Sequence, residues 1–282
     1  MFGWKQHFLG LKASITVLSF TLLIAVFAPD VPLDPWGLFN PKKFGYIILT
    51  LALLEFLSYI TLKFVGEKIG AILMGFLGGF VSSTAVTLSS ARHATKNPEL
   101  WRTFAVATIA AVLASFIELL SIVFWISRPL LTRISAAIVI TFLTGVAAML
   151  ILRRENSAQK SEVILNSIFD LKGIFRSSIL FIFMLALIKL AENNLGHEIT
   201  YGLSFLTGLF ELHGITFANA TLFSNSQKTL QMTNSCILLA VVASLFSKMA
   251  ISWSLNRGRF SVVLSIVFSV MICVVGLTTL IN

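Results

Sequence analysis

The run Gly75-Phe76-Leu77-Gly78-Gly79-Phe80-Val81-Ser82-Ser83-Thr84-Ala85-Val86-Thr87 decides how this chain is read. It is apolar enough for a bilayer, yet three glycines precede a cluster of hydroxyls. Glycine lets one backbone approach another, and hydroxyls can satisfy amides freed where a membrane helix breaks. The pattern therefore predicts a helix that is broken, or that enters and leaves the membrane on one side. It is equally the pattern of a small-residue packing face on an ordinary spanning helix. A second run has the same character: Gly202, Gly208 and Gly214 surround Glu211, His213, Thr216 and Asn219.

Outward from these runs the chain stays apolar. Of its 282 residues 57% are hydrophobic and 12% charged, and the mean hydropathy is +0.92. That is too little polar surface for a soluble domain. Nine apolar segments are long enough, at 1.5 Å per residue, to cross or nearly cross a core of about 30 Å. They cover 13–28, 44–64, 69–88, 103–126, 130–152, 173–190, 199–223, 233–255 and 260–281. The expected fold is an all-α polytopic membrane protein. Its units are an N-terminal helix and loop (1–43), a first membrane repeat (44–152), a cytoplasmic linker (153–172) and a second membrane repeat (173–282). The first run ends in a small-residue pattern at Ala25 to Ala28, as a cleaved signal would, but the rest of the chain is itself apolar and it is read as a helix. The net charge of +9 comes from lysines and arginines at segment ends, which fits topology control better than a nucleic-acid patch. Cys236 and Cys273 lie within apolar runs and read as packing residues.

Segments two to five can be laid on segments six to nine. Leu51 to Phe56 matches Leu185 to Leu190, and Gly79 to Thr87 matches Gly208 to Thr216 without a gap. A shift of one residue then aligns Thr103 with Thr233, Ala110 with Ala240, Phe116 with Phe246 and Glu118 with Lys248. If all nine segments cross, loop lysines and arginines divide 11 to 8. If the third and seventh enter and leave on one side, they divide 14 to 5, and the basic side holds the amino terminus and the linker. Three crossings per repeat make the repeats inverted, as in many secondary transporters.

Ionisable groups at membrane depth are costly, so each is a functional candidate. They are Glu55, Glu118, Lys189, Glu211, His213 and Lys248. Under the repeat alignment Glu55 pairs with Lys189 and Glu118 with Lys248, which suits interhelical charge pairs as well as ion coupling. Glu211 and His213 occur together opposite Ser82 and Thr84, offering oxygen and nitrogen ligands for a cation. The expected ion-binding set is Ser82, Ser83, Thr84, Thr87, Glu211, His213, Thr216 and Asn219, with Glu211 and His213 as candidate metal ligands. No phosphate-binding loop is present, and His197-Glu198 lacks the second histidine of a zinc-protease helix. Neither an enzyme nor a cofactor is expected.

Two stretches carry a resemblance. Asp34-Pro35-Trp36-Gly37-Leu38-Phe39-Asn40-Pro41-Lys42-Lys43 and the run from Gly75 to Ala94 resemble the MgtC/SapB-associated DUF4010 family of prokaryotic membrane proteins. Members often follow an MgtC/SapB domain, which this sequence lacks. Their second element carries aspartates where Glu211 and His213 stand here. The resemblance implies ion homeostasis at a bacterial inner membrane. The expected function is a transporter or channel for a small ion, a cation in the first instance, with the bilayer, the ion and a second copy of the chain as partners. The alternative is a non-transporting membrane subunit or regulator.

Overall fold

The computed structural model describes residues 16, 18–33, 40–65, 70–153, 183, 186, 187, 190, 198–225 and 228–281. Among these, all regular structure is helical: α1 (Leu18–Phe27), α2 (Pro41–Val65), α3 (Ala71–Lys96), α4 (Trp101–Ile126), α5 (Arg128–Arg153), α6 (Ile199–Gly208), α7 (Leu212–Ser224), α8 (Leu230–Leu255) and α9 (Arg259–Ile281). Helices α3, α4, α5, α8 and α9 are long and apolar enough to cross a membrane. The protein is therefore an integral membrane protein, with five such helices among the described residues where the sequence suggested nine segments. Most of the sixth segment, including Lys189, and the 154–172 linker lie outside the described residues, as do residues 34–39 of the first familiar stretch. The seventh segment is divided between α6 and α7, of 10 and 13 residues. Each is too short to span alone.

Helix α4 forms the centre and packs against α2, α3, α5, α7 and α9. Its alanine-rich stretch from Ala105 to Ala114 is fully buried, and small side chains let the neighbouring backbones come close. A β-carbon on Gly79 would sit 2.5 Å from Ala111 Cα, and one on Gly208 2.7 Å from Ala240 Cα. Gly75 meets the backbone of Ala107 as closely. Gly202, by contrast, has nothing within 4 Å. Gly79→Ala is therefore expected to destabilise the detergent-solubilised protein by about 1–3 kcal/mol through overpacking, while Gly202→Ala leaves it unchanged or stabilised. Equal shifts in the two denaturation midpoints would contradict this packing. The outer helices α5 and α9 expose Leu143, Leu150, Ile151, Ile266 and Leu277, a surface suited to lipid.

Two breaks shape the interior, and neither involves proline. Within α3, Ser82 is extended (φ −170°, ψ 106°), and its Oγ accepts from the Ala85 amide at 3.1 Å. The hydroxyl thus caps the second arm after the glycines have weakened the first. Between α6 and α7, Glu211 is likewise extended (φ −146°, ψ 109°) and caps α7. Its carboxylate accepts from the amides of His213 at 2.9 Å and Gly214 at 3.3 Å.

Both broken elements fold back on themselves. Gly75 packs on Ala107 and Gly79 on Ala111, so the first arm of α3 runs parallel to α4. The second arm returns, bringing the His93 ring within 5.7 Å of the Phe104 ring. Both ends of α3 therefore lie at the amino-terminal end of α4. In the other element Asn219 Nδ2 donates to Ser204 Oγ at 3.1 Å, which sets α6 and α7 side by side. Lys228 Nζ donates to Asn219 Oδ1 at 2.7 Å, tying that hairpin to the start of α8. Helices α4 and α8 run in opposite directions. Thr95, near the start of α4, donates to Leu255 O at the end of α8 (2.8 Å), while Lys228 and Thr229 share a recess with Ser127 and Arg128 at the far end of α4.

One alignment is corrected by these contacts. Glu211 follows Ser82 by 129 positions, and the same separation relates Gly208 to Gly79, Ala240 to Ala111, and both ends of α8 to those of α4. No one-residue shift intervenes. At this register Glu118 corresponds to Ser247, and Lys248 to Leu119.

Candidate functional site

The two breaks face one another across a cavity of about 120 Å³. Its wall includes the break segments from Gly79 to Thr84 and from Gly208 to His213, with Glu55 of α2, Ser115 and Glu118 of α4, and Ser244 and Lys248 of α8. Helix α2 is set against α4 by the stacked rings of Tyr46 and Trp125, 4.8 Å apart. The Trp125 Nε1 bond to Thr50 Oγ1 at 2.8 Å strengthens this contact. This brings Glu55 and Glu118 to the same cavity. Near the breaks, backbone groups lack the regular helical partners of a continuous helix, which is the usual setting for ion sites in broken membrane helices.

His213 is the hub of the charged wall. Its Nε2 lies 3.3 Å from Glu118 Oε2 and 3.3 Å from the Ser115 carbonyl, and its Nδ1 lies 3.5 Å from Glu211 Oε1. With protein oxygens at both nitrogens, the ring can donate to both sides when it carries two protons. Both nitrogens are engaged with protein oxygens, and among the described residues no group of three or more His, Cys, Asp and Glu is placed to hold a metal ion. Glu118 is buried, and His213 is its closest cationic group. Lys248 does not pair with it. Its Nζ donates instead to Ser244 Oγ at 2.8 Å, one turn back on the same helix.

Of the residues expected from sequence, Ser82, Ser83, Thr84, Glu211 and His213 line this cavity. Thr87, Thr216 and Asn219 do not. Thr87 donates to Ser83 O at 2.8 Å and Thr216 to Leu212 O at 2.7 Å, the back-bonding usual for hydroxyls inside a helix. Asn219 is spent on Ser204, Ile215 O and Lys228. Glu55, Glu118 and Lys248, expected as charge pairs, belong to the cavity wall. Lys189 lies outside the described residues. Sequence reading overlooked Ser115 and Ser244, each one turn before an ionisable residue on its helix, a spacing that brings the two onto one face. It also overlooked Lys228, which reads as loop and is buried.

The family follows from the stretch that contains both breaks. Residues 49–256 match the family described as Domain of unknown function (DUF4010). The chain belongs to this family. No curated protein and no solved structure matches it. Every lining residue of the cavity except Ile48 falls within the DUF4010 match. The match also takes in both helix breaks and the whole of α4, α5 and α8.

Proposed function

We propose that this DUF4010 protein is a transporter or channel for a small cation, which binds between the tips of two helix hairpins at the centre of inverted membrane repeats. The observation that carries the reading is the cavity itself. Carboxylates, hydroxyls and broken-helix backbone converge on about 120 Å³ inside an apolar helix bundle. At roughly 30 Å³ per water, this volume suits a few waters or a partly hydrated ion. Buried carboxylates at membrane depth are costly, and an ion pathway is the commonest reason they are retained. Oxygen ligands of this kind suit hard cations. The test is flux into proteoliposomes across a panel of cations and anions. Anion movement without cation movement would overturn the reading.

The inverted arrangement is supported by the opposed directions of α4 and α8 and by the two hairpins returning to opposite ends of the bundle. On this reading α3 and the α6–α7 pair are re-entrant, and the end carrying Lys96, Arg257 and Arg259 is cytoplasmic. Single cysteines at Lys96 and Arg257, in a background without Cys236 and Cys273, are expected to be labelled from the cytoplasmic side. One at Arg128 is expected to be labelled from the other side. Opposite labelling of Lys96 and Arg257 would overturn the re-entrant α6–α7 pair and the contact of Thr95 with Leu255 O.

A regulator without transport is favoured by one observation, the mutual satisfaction of Glu118, His213 and Glu211. Correctly inserted protein that moves no ion of the panel would make that the better account.

A further inference from the structure

Lys248 has a geometry that the charged hub does not explain. It is 3% exposed, it lines the same cavity as Glu118 and Glu211, and its ammonium has three donors. Yet its acceptors among the described residues are both on Ser244: the hydroxyl at 2.8 Å and, at 3.5 Å, the carbonyl. A buried ammonium normally gains most from a carboxylate. Here it is turned back along α8 while carboxylates line the same cavity. Ser244 holds it there, as a serine one turn earlier on the same helix face can do.

We infer that Lys248 is a tethered competitor for the cation site, and that the cation it competes with is monovalent. The inference rests on the function proposed above. The ammonium has two positions: parked on Ser244, as in this structure, or extended into the cavity towards Glu118 and Glu211. A free cation fills the cavity when Lys248 is parked, and the ammonium fills it when the ion has left. The charge argument sets the cargo class. The parked ammonium still lines the cavity, so a monovalent ion adds one positive charge to the buried site and a divalent ion adds two, a larger cost in a low-dielectric interior. The groups facing Lys248 across the cavity are Glu55 of α2, Glu118 of α4, and Glu211 and His213 at the start of α7. The hydroxyls of Ser82, Ser83 and Thr84 complete an oxygen-rich wall that suits an alkali cation. Ser244 acts through Lys248 and is a positioning residue.

The test measures initial flux against Na⁺ and K⁺ concentration in proteoliposomes, with Mg²⁺ as competitor. Lys248→Met is expected to lower the half-saturating concentration of a monovalent cation by about tenfold or more and to reduce the maximal rate, because the ion loses its competitor on binding and on release. Mg²⁺ is expected to compete in this variant and not in the wild type. Lys248→Arg keeps the tethered charge and should stay within about twofold of wild-type half-saturation. Ser244→Ala removes the parking site and should raise it. In the Lys248→Met background Ser244→Ala should have no further effect, which separates positioning from direct ligation. If Lys248→Met half-saturates like the wild type, or loses only maximal rate, the inference is wrong while cation transport stands. If the Met variant misfolds, wild-type half-saturation in Ser244→Ala has the same force. A wild type that moves a divalent but no monovalent cation overturns the inference alone, and one that moves no cation overturns both the inference and the proposed function.

Discussion

Proteoliposomes carrying Glu211→Gln are expected to move cations roughly a hundredfold more slowly than wild type, while the purified protein stays folded. The two halves of this expectation come from two roles of one side chain. As a cap, Glu211 accepts from the amides of His213 and Gly214, and a glutamine oxygen can accept the same bonds. As a member of the cavity wall it supplies a negative charge. At an effective dielectric near 20, the attraction between that charge and a cation about 5 Å away is on the order of 3 kcal/mol. Glu211→Asp keeps the charge and should recover part of the rate. Wild-type flux in Glu211→Gln would remove the site from this cavity.

The second large effect concerns stability. His213→Ala leaves Glu118, 4% exposed, without its closest cationic group, and isolating a buried charge in this way costs about 3–5 kcal/mol. Glu118→Gln should cost less, because the histidine still has Glu211 at 3.5 Å. The double variant should be more stable than the sum of the single losses implies, by at least about 1 kcal/mol. Chemical denaturation of the four proteins in detergent measures this. Strict additivity would mean that Glu118 and His213 do not interact. Glu118→Gln and Lys248→Met, by contrast, should add when a transported cation saturates the site, since the parked Lys248 ammonium bonds to Ser244 and not to Glu118.

The position of both breaks was legible because glycine followed by a capping side chain is a local signal. A packing face remained the equal alternative, and that Ser82 and Glu211 are the capping residues came from the structure. The gap-free match from Gly79 to Thr87 placed them opposite one another. What was not legible is registration between apolar helices. Alanines and leucines align in any register, so the two charges at 118 and 248 drew the alignment one residue off. Helix ends and glycine contacts, which are tertiary facts, corrected it. Thr87, Thr216 and Asn219 were chosen because they continue the polar runs, but a helix turns each of them away within one or two turns of the break. Ser115 and Ser244 were passed over because a serine among alanines reads as packing, and only the cavity distinguishes it.

The paired breaks also bear on how the chain is assembled in its membrane. A segment with a capped turn at its middle exposes backbone groups that lipid cannot satisfy. The Ala71–Lys96 segment also has the lowest mean hydropathy of the five helices long and apolar enough to cross a membrane, 1.7 against 1.9 to 2.7. It is therefore the poorest candidate to partition alone from the translocon into lipid. Its Gly75 and Gly79 need the backbone of α4, which is synthesised after it. The same holds for Gly208 and Ala240 of α8. If the hairpins are re-entrant as proposed, each is expected to settle in the bilayer only after its downstream partner emerges, the long helix drawing the preceding hairpin in behind it.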